Sequence, residues 1–444
     1  MAKVFDIVIF GASGFTGKYV VKEALKFLNP NSPLKSLALA GRDSCKLYET
    51  LKWASSTSKP NLPLLVADTS DPFSLRRMAS QAKLVLNCVG PYRLHGDPVV
   101  AACVETGCDY LDICGEPEFM ERMEAVYHEK AIETGSLVVS ACGFDSIPAE
   151  FGLMFNTMQW ASPAAPNRVE AYVSLESDKN IVGNFATYKS AVLGVANVDK
   201  LAMLRRSTRR RRARPLIPGN APLPTGFDIE HQKKIGLWAV KLPSADPSII
   251  RRTLSIFTEN PSGLQGVNED PKQATKRAVY WSKIKPAHFG VKIATKHYLG
   301  IFRMITIGRI IGQLSSSHFG QWLLLNFPYI FSLGAFRKSG PTEEEVASAS
   351  FKMWFVGHGF SDAKDVSREP DREIITRVTG PEIGYVATPI ILMQCALTVL
   401  KQRGDLPKGG VYPPGIVFGP TELQNRLQEN GVTFDVISKG DISK

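Results

Sequence analysis

Seven residues near the amino end, Gly11-Ala12-Ser13-Gly14-Phe15-Thr16-Gly17, separate an apolar run from a stretch with helical periodicity. Such a loop suits a dinucleotide pyrophosphate. Backbone N–H groups approach it without an intervening Cβ, and the helix N-terminus favours its negative charge. Gly11 is expected to make the turn, Gly14 the close approach and Gly17 the contact of helix on strand, while Ser13, Phe15 and Thr16 complete the cradle. Three glycines alone would suit an ordinary turn equally well; the strand before and the helix after favour the cofactor reading.

The next informative position follows the second apolar run, at Ala40-Gly41-Arg42. A carboxylate there would hold the ribose 2′-OH of NAD. Arg42 instead offers a guanidinium fork suited to a 2′-phosphate, so NADP(H) is expected over NAD(H). The alternative is a surface arginine that merely ends a strand. Ligands of such folds lie beyond the C-terminal strand ends, so Asp68 is expected to border the adenine. Val89, Gly90 and Pro91 are expected along the nicotinamide ribose. Hydride transfer needs no obligatory catalytic motif, because the cofactor carries the chemistry. A proton donor would assist, and Tyr92, His95 and Asp145 are candidates; an exposed loop histidine and a helix-capping Asp145 are the alternatives.

The elements that would position these residues alternate through the first third of the chain. Strands are predicted at Asp6–Phe10, Ser36–Ala40, Leu64–Ala67, Leu84–Cys88, Tyr110–Ile113 and Leu137–Ser140, with helical stretches between them. That is the pattern of a doubly wound parallel sheet. After Pro148, Val169, Ala171, Val173 and Leu175 share one strand face, with Glu170, Tyr172 and Ser174 on the other. Phe351–Val356 and Ile374–Thr379 are expected to complete an open sheet with it, followed by a helix over Val386–Leu400 and a last strand at Gly431–Val436. The expected fold is α/β: an N-terminal Rossmann sheet over residues 1–147 and a second α+β domain with an open mixed sheet over 148–383. That domain carries a basic insertion at 200–225 and a hydrophobic one at 297–336.

Composition agrees with a folded chain of two lobes: 444 residues, 44% apolar and 21% charged. The net charge of +11 includes seven arginines at positions 205, 206, 209, 210, 211, 212 and 214, leaving +4 elsewhere. Nucleic acid is therefore not an expected partner. The arginine run reads as a solvated loop, a contact for anionic lipid or a nuclear-localisation-like tract. Seven cysteines without a CxxC pair point to a reducing compartment and no metal site.

Taken together, these motifs resemble those of the saccharopine dehydrogenase-like oxidoreductases. The resemblance rests on the glycine loop, Ala40-Gly41-Arg42, Cys88-Val89-Gly90-Pro91-Tyr92 with Gly96, Asp112-Ile113-Cys114-Gly115-Glu116 and Cys142-Gly143-Phe144-Asp145-Ser146-Ile147-Pro148. It continues more weakly through Gly380–Thr388 to Gly409–Gly415. It implies that the C-terminal segment, 384–444, returns to the Rossmann domain. It also implies hydride transfer to or from an imine, enoyl or carbonyl group of a small or lipid-like substrate. No arginine cluster for the carboxylates of saccharopine can be assigned, so that substrate is not expected. A dinucleotide-binding protein without turnover, held on a membrane or lipid droplet, is the alternative function.

Residues 318–336 lack Asp, Glu, Lys and Arg and include Trp322, Leu324, Tyr329, Ile330 and Phe331. Asn326 and Pro328 interrupt them, so a lipid-surface segment within 297–336 is expected rather than a clean membrane crossing. A buried core or a homodimer interface is the alternative. The apolar run from Val4 leaves no cleavable signal expected. Location is expected to be intracellular, on membranes or lipid droplets, with mitochondria as a further alternative.

Overall fold

The computed structural model describes residues 3–55, 61–207, 212–221, 228–365 and 369–442. Six short segments, most of them apolar, form the strands β1 (Phe5–Phe10), β2 (Leu37–Gly41), β3 (Leu64–Val66), β4 (Ala82–Asn87), β5 (Asp109–Asp112) and β6 (Leu137–Val139). They pair in the order β6-β5-β4-β1-β2-β3, all parallel. Ile7, Val8 and Ile9 are wholly buried because helices cover both faces of the sheet, which is why the run is continuous rather than alternating. Helix α1 (Phe15–Leu25) buries Val20, Val21 and Ala24 on the sheet. Helix α2 (Pro117–Thr134) starts with proline in its first turn and ends on left-handed Gly135. Helix α3 (Ile147–Thr157) then leads into the second lobe.

The second lobe begins with β7 (Ala165–Ser177). It continues through β8 (Gly183–Asn184), α4 (Phe185–Ala196), α5 (Val198–Ser207), β9 (Glu230–Gln232), β10 (Leu237–Lys241), α6 (Asp246–Glu259) and β11 (His288–Thr295). Helices α7 (Tyr298–Leu314) and α8 (His318–Asn326), with β12 (Phe336–Arg337), make the hydrophobic insertion, and β13 (Ala349–Phe360) and β14 (Arg372–Pro381) follow. The sheet is mixed: β7 pairs parallel with β11 and antiparallel with β13. Val169, Ala171 and Val173 enter the main core as the alternation predicts. The opposite face is drier than expected, because Tyr172 packs with Leu237, Ala239, Ala294, Val356 and Ile375.

The C-terminal segment divides between the lobes. Helix α9 (Thr388–Gln402) is buried along most of its length and packs on α1 and the Rossmann sheet. The apolar stretch Ile383–Asp405 is long enough to cross a membrane, but most of it is core. Strand β15 (Gly410–Tyr412) extends the Rossmann sheet beyond β6. The last strand, β16 (Thr433–Asp441), instead pairs with β14, so the segment 384–444 does not return wholly to the Rossmann domain.

Candidate active site at the carboxyl edge of the parallel sheet

The chain leaves β1 through Gly11, whose φ of +79° lies in the left-handed region. A Cβ at Gly11 would come within 2.6 Å of Val89 Cγ2, and one at Gly17 within 2.1 Å of the Gly11 carbonyl oxygen. Gly11 therefore leaves room for the Val89 side chain, and Gly17 lets backbone meet backbone. Gly14 differs: a Cβ there would meet only the Gly11 oxygen, at 3.1 Å, with nothing else within 4 Å. It forms the N-cap of α1 without any side-chain cap. The first-turn amides of Phe15, Thr16 and Gly17 precede the reach of intrahelical bonding, and the adjoining Ser13 and Gly14 are exposed. A pyrophosphate fits this cradle, which a side chain at Gly14 would fill. The Phe15 ring turns the other way, onto Tyr385 at a centroid distance of 4.8 Å.

Arg42 is exposed just beyond β2. Near it, the Asp68 carboxylate accepts the Ser70 N–H at 2.9 Å and the Ser70 hydroxyl at 2.8 Å. Those bonds, and then the Arg42 charge, hold Asp68 below its ordinary pKa. His95 Nδ1 lies 3.5 Å from Thr69 Oγ1. Burial, Lys189 and Arg42 all push the His95 pKa down, so its imidazole is neutral at neutral pH. The structure thus brings Arg42, Asp68 and His95 together at the β2–β3 side of the crevice.

Val89, Gly90 and Pro91 follow β4, and the Val89 N–H donates to Asn87 Oδ1 at 3.0 Å. Tyr92 is not positioned as a free proton donor: its hydroxyl is buried and donates to the Asn87 carbonyl at 2.8 Å. Beneath it, Asn87 Nδ2 donates to the Tyr110 hydroxyl, which donates to Asp112. Burial raises Asp112 to about 6, although the Ala141 and Cys114 N–H groups bond it. Burial likewise pushes the Cys88 thiol up to about 12, so that cysteine is an inert packing group.

Asp145 does not cap α3; Ser146 holds the cap position, and no side-chain bond caps that helix. Asp145 is exposed as a residue just beyond β6, but its carboxyl packs against Gly115, which follows β5, and the protein around that carboxyl raises its pKa. An acid with a raised pKa beside the carboxyl ends of parallel strands is a candidate functional group. Next to it, Glu150 is wholly buried, accepting from the Ser146 hydroxyl, the Thr253 hydroxyl and the Gly415 N–H. Burial raises Glu150 to about 7.

Sequence reasoning gave no role to Glu116, although it lies just past β5. Glu116 accepts from the Tyr92 N–H at 2.8 Å, Arg93 Nε at 3.1 Å and the Ser190 hydroxyl at 3.0 Å. Arg93 also donates to the Leu193 carbonyl at 2.9 Å. Helix α4 of the second lobe is thereby fastened to the loop that follows β4. The only sequence signal was the position of an acid at a strand end. The basic insertion lies elsewhere: Arg205 donates to Glu121 and Arg212 pairs with Glu124, both on α2, while Arg209, Arg210, Arg211 and residues 222–227 lie outside the described residues.

Residues 7–139 match the family model "Saccharopine dehydrogenase NADP binding domain". An Arabidopsis thaliana protein named "Probable mitochondrial saccharopine dehydrogenase-like oxidoreductase" is 63% identical over 443 residues, covering 98% of this chain and 97% of that one. A Caenorhabditis elegans protein named "Lipid droplet localized protein" is 33% identical over 457 residues, covering 99% of each chain. Apo saccharopine dehydrogenase (L-Glu forming) of Saccharomyces cerevisiae superposes with a TM-score of 0.52 at 11% identity, over 98% of this chain and all of that one. At that identity the likeness is one of fold.

Proposed function

Because this chain belongs to the saccharopine dehydrogenase-like oxidoreductase family, we propose that it is an NADP(H)-dependent oxidoreductase acting on an imine, enoyl or carbonyl group. The observation that carries this reading is an exposed Gly14 at a helix N-terminus that no side chain caps. The bound dinucleotide supplies or accepts the hydride. Ser13, Gly14 and the first-turn amides of α1 hold its pyrophosphate, and Arg42 pairs with the 2′-phosphate. Asp68 borders the adenine, and Val89, Gly90 and Pro91 line the nicotinamide end. Asp145 is the proton donor in this reading, supported by its place just beyond β6 and by a pKa raised above the ordinary aspartate range. His95 is held neutral and close to Arg42, which places it nearer the adenosine half.

The test begins with titration of NADPH and NADH against the intrinsic fluorescence of the protein. NADPH is expected to bind more tightly, and Arg42→Ala to lose about ten- to a hundredfold of NADPH affinity, the worth of a charge-assisted hydrogen bond. An unchanged preference in that variant would remove Arg42 from the site. A screen of imine, enoyl and carbonyl acceptors for NADPH oxidation then separates an enzyme from a protein that binds the dinucleotide without turnover.

We also place the protein at a lipid surface, on the exposure of the hydrophobic insertion. Phe319 is 70% exposed, Trp322 54% and Ile330 63%. The rings of Phe319 and Trp322 stack at 6.1 Å, and Phe327 meets Trp322 edge-on. Charge favours an anionic surface: residues 271–342 contain eleven Lys and Arg and no Asp or Glu, although Arg277, Lys292, Lys296 and Arg337 pair with acids outside the segment. Arg303 and Arg309 are exposed on α7 beside the apolar side chains. Relatives named for mitochondria and for lipid droplets are consistent with either location.

A further inference from the structure

Helix α4 is shared between the insertion and the crevice. One side buries Tyr188 and Val192 completely against Leu324 of α8, with Ile310, Ile311 and Phe336 packed around them. The other side presents the Ser190 hydroxyl to Glu116 and the Leu193 carbonyl to Arg93. Its N-cap, Asn184, donates its backbone N–H to the Tyr385 hydroxyl at 2.8 Å, and Tyr385 in turn packs on Phe15 of the phosphate loop. Strand β8, which leads into α4, pairs with β12 at the end of the insertion. Among the described residues, no other apolar cluster buries a residue of α4. Its position is therefore set jointly by the insertion and by the loops at the dinucleotide crevice.

We propose that docking of the insertion on an anionic phospholipid surface is linked to dinucleotide binding through α4, so that each tightens the other. The proposal rests on the dinucleotide-binding reading and adds regulation of that site. A surface that seizes the exposed aromatic side chains of α7 and α8 orders the packing beneath them, and with it the hold of Ser190 on Glu116. A dinucleotide ordering the Val89–Arg93 loop works on the same helix from the other side. Linkage requires the two effects to be equal in size.

The experiment uses the full chain and two vesicle compositions, phosphatidylcholine alone and phosphatidylcholine with phosphatidylserine. NADPH affinity is measured with and without vesicles, and flotation with and without NADPH. The expected result is NADPH binding tightened about fivefold or more by the phosphatidylserine vesicles, the lower range of such couplings, with NADPH raising the vesicle partition coefficient by the same factor. Phosphatidylcholine alone should leave the affinity unchanged. Val192→Ala, which loosens α4 on α8, should still float and bind NADPH but bring the coupling towards onefold. Protein that floats with an unaltered NADPH affinity overturns the linkage. Protein that binds NADPH but does not float overturns docking and linkage while leaving the dinucleotide reading in place. Protein that floats without binding NADPH under either condition removes the dinucleotide reading and the linkage with it.

Discussion

Glycines of the phosphate loop separate by what surrounds each Cα. Gly14 has an ordinary φ of −71°, and a Cβ there would press only on the Gly11 carbonyl oxygen at 3.1 Å, so Gly14→Val is expected to fold after a small local shift and to lose NADPH binding. Gly17→Val would drive its side chain into the Gly11 carbonyl and is expected to lose several degrees of melting temperature as well. Circular dichroism melts and NADPH titration on the same samples distinguish the two; a Gly14→Val protein with normal affinity would make the loop a turn only. Asp145 carries the second prediction at this scale. With its pKa raised by burial, kcat/KM for reduction should fall as pH rises through that value, because the acid form is the donor. Asp145→Asn should remove that limb of the profile and lower kcat about a hundredfold or more. An unaltered profile would return the residue to a packing role.

Among the elements, α3 is held to its neighbours by a buried carboxyl. Glu150 joins Ser146 of its own helix, Thr253 of α6 and the Gly415 amide of the C-terminal segment. An unfolded glutamate releases its proton near 4.5, whereas in the fold Glu150 retains it to about 7. Between those values the folded chain binds the extra proton, so stability falls as pH rises and levels off above about 7. The difference is on the order of 3 kcal/mol. Glu150→Gln keeps an acceptor without the ionisation and should flatten this part of the stability profile, read as urea midpoints from pH 5 to 8; Asp112 retains its own slope. A variant with the slope of the wild type would show that Glu150 titrates normally.

At the scale of the whole molecule, the insertion sorts its apolar residues into two populations. Leu324 is fully buried and Phe331 half-buried against α4, so aspartate at either position reports on folding rather than on docking. Phe319 and Trp322 face outward. Replacing both with aspartate should leave the melting temperature within a few degrees of the wild type and abolish flotation with phosphatidylserine vesicles, because each large apolar side chain contributes roughly 1.5–3 kcal/mol of transfer energy. Leu324→Asp should instead unfold the insertion, since it buries an unpaired carboxylate. A folded Phe319→Asp, Trp322→Asp protein that still floats would remove the lipid-facing assignment.

The parallel sheet and the phosphate loop were legible in the sequence because both depend on local requirements. A strand buried on two faces needs a continuous apolar run, and a loop that reverses at Gly11 and packs a helix at Gly17 needs residues without a Cβ. The place of Arg42, the first side chain beyond β2, was legible for the same reason, while its pairing with a 2′-phosphate is a proposal. Other features depend on contacts remote in sequence. Ser190 meets Glu116 across 74 positions, and Arg93 meets Leu193 across 100. No periodicity within either segment encodes such a meeting. Asp145 stands in a sequence that suits a helix cap, but Ser146 takes that position and Asp145 instead packs its carboxyl against Gly115. Trp322 and Leu324 belong to one apolar run, and hydrophobicity alone does not say which of them α4 covers. Burial is a property of the assembled neighbours, so only the tertiary structure decided it.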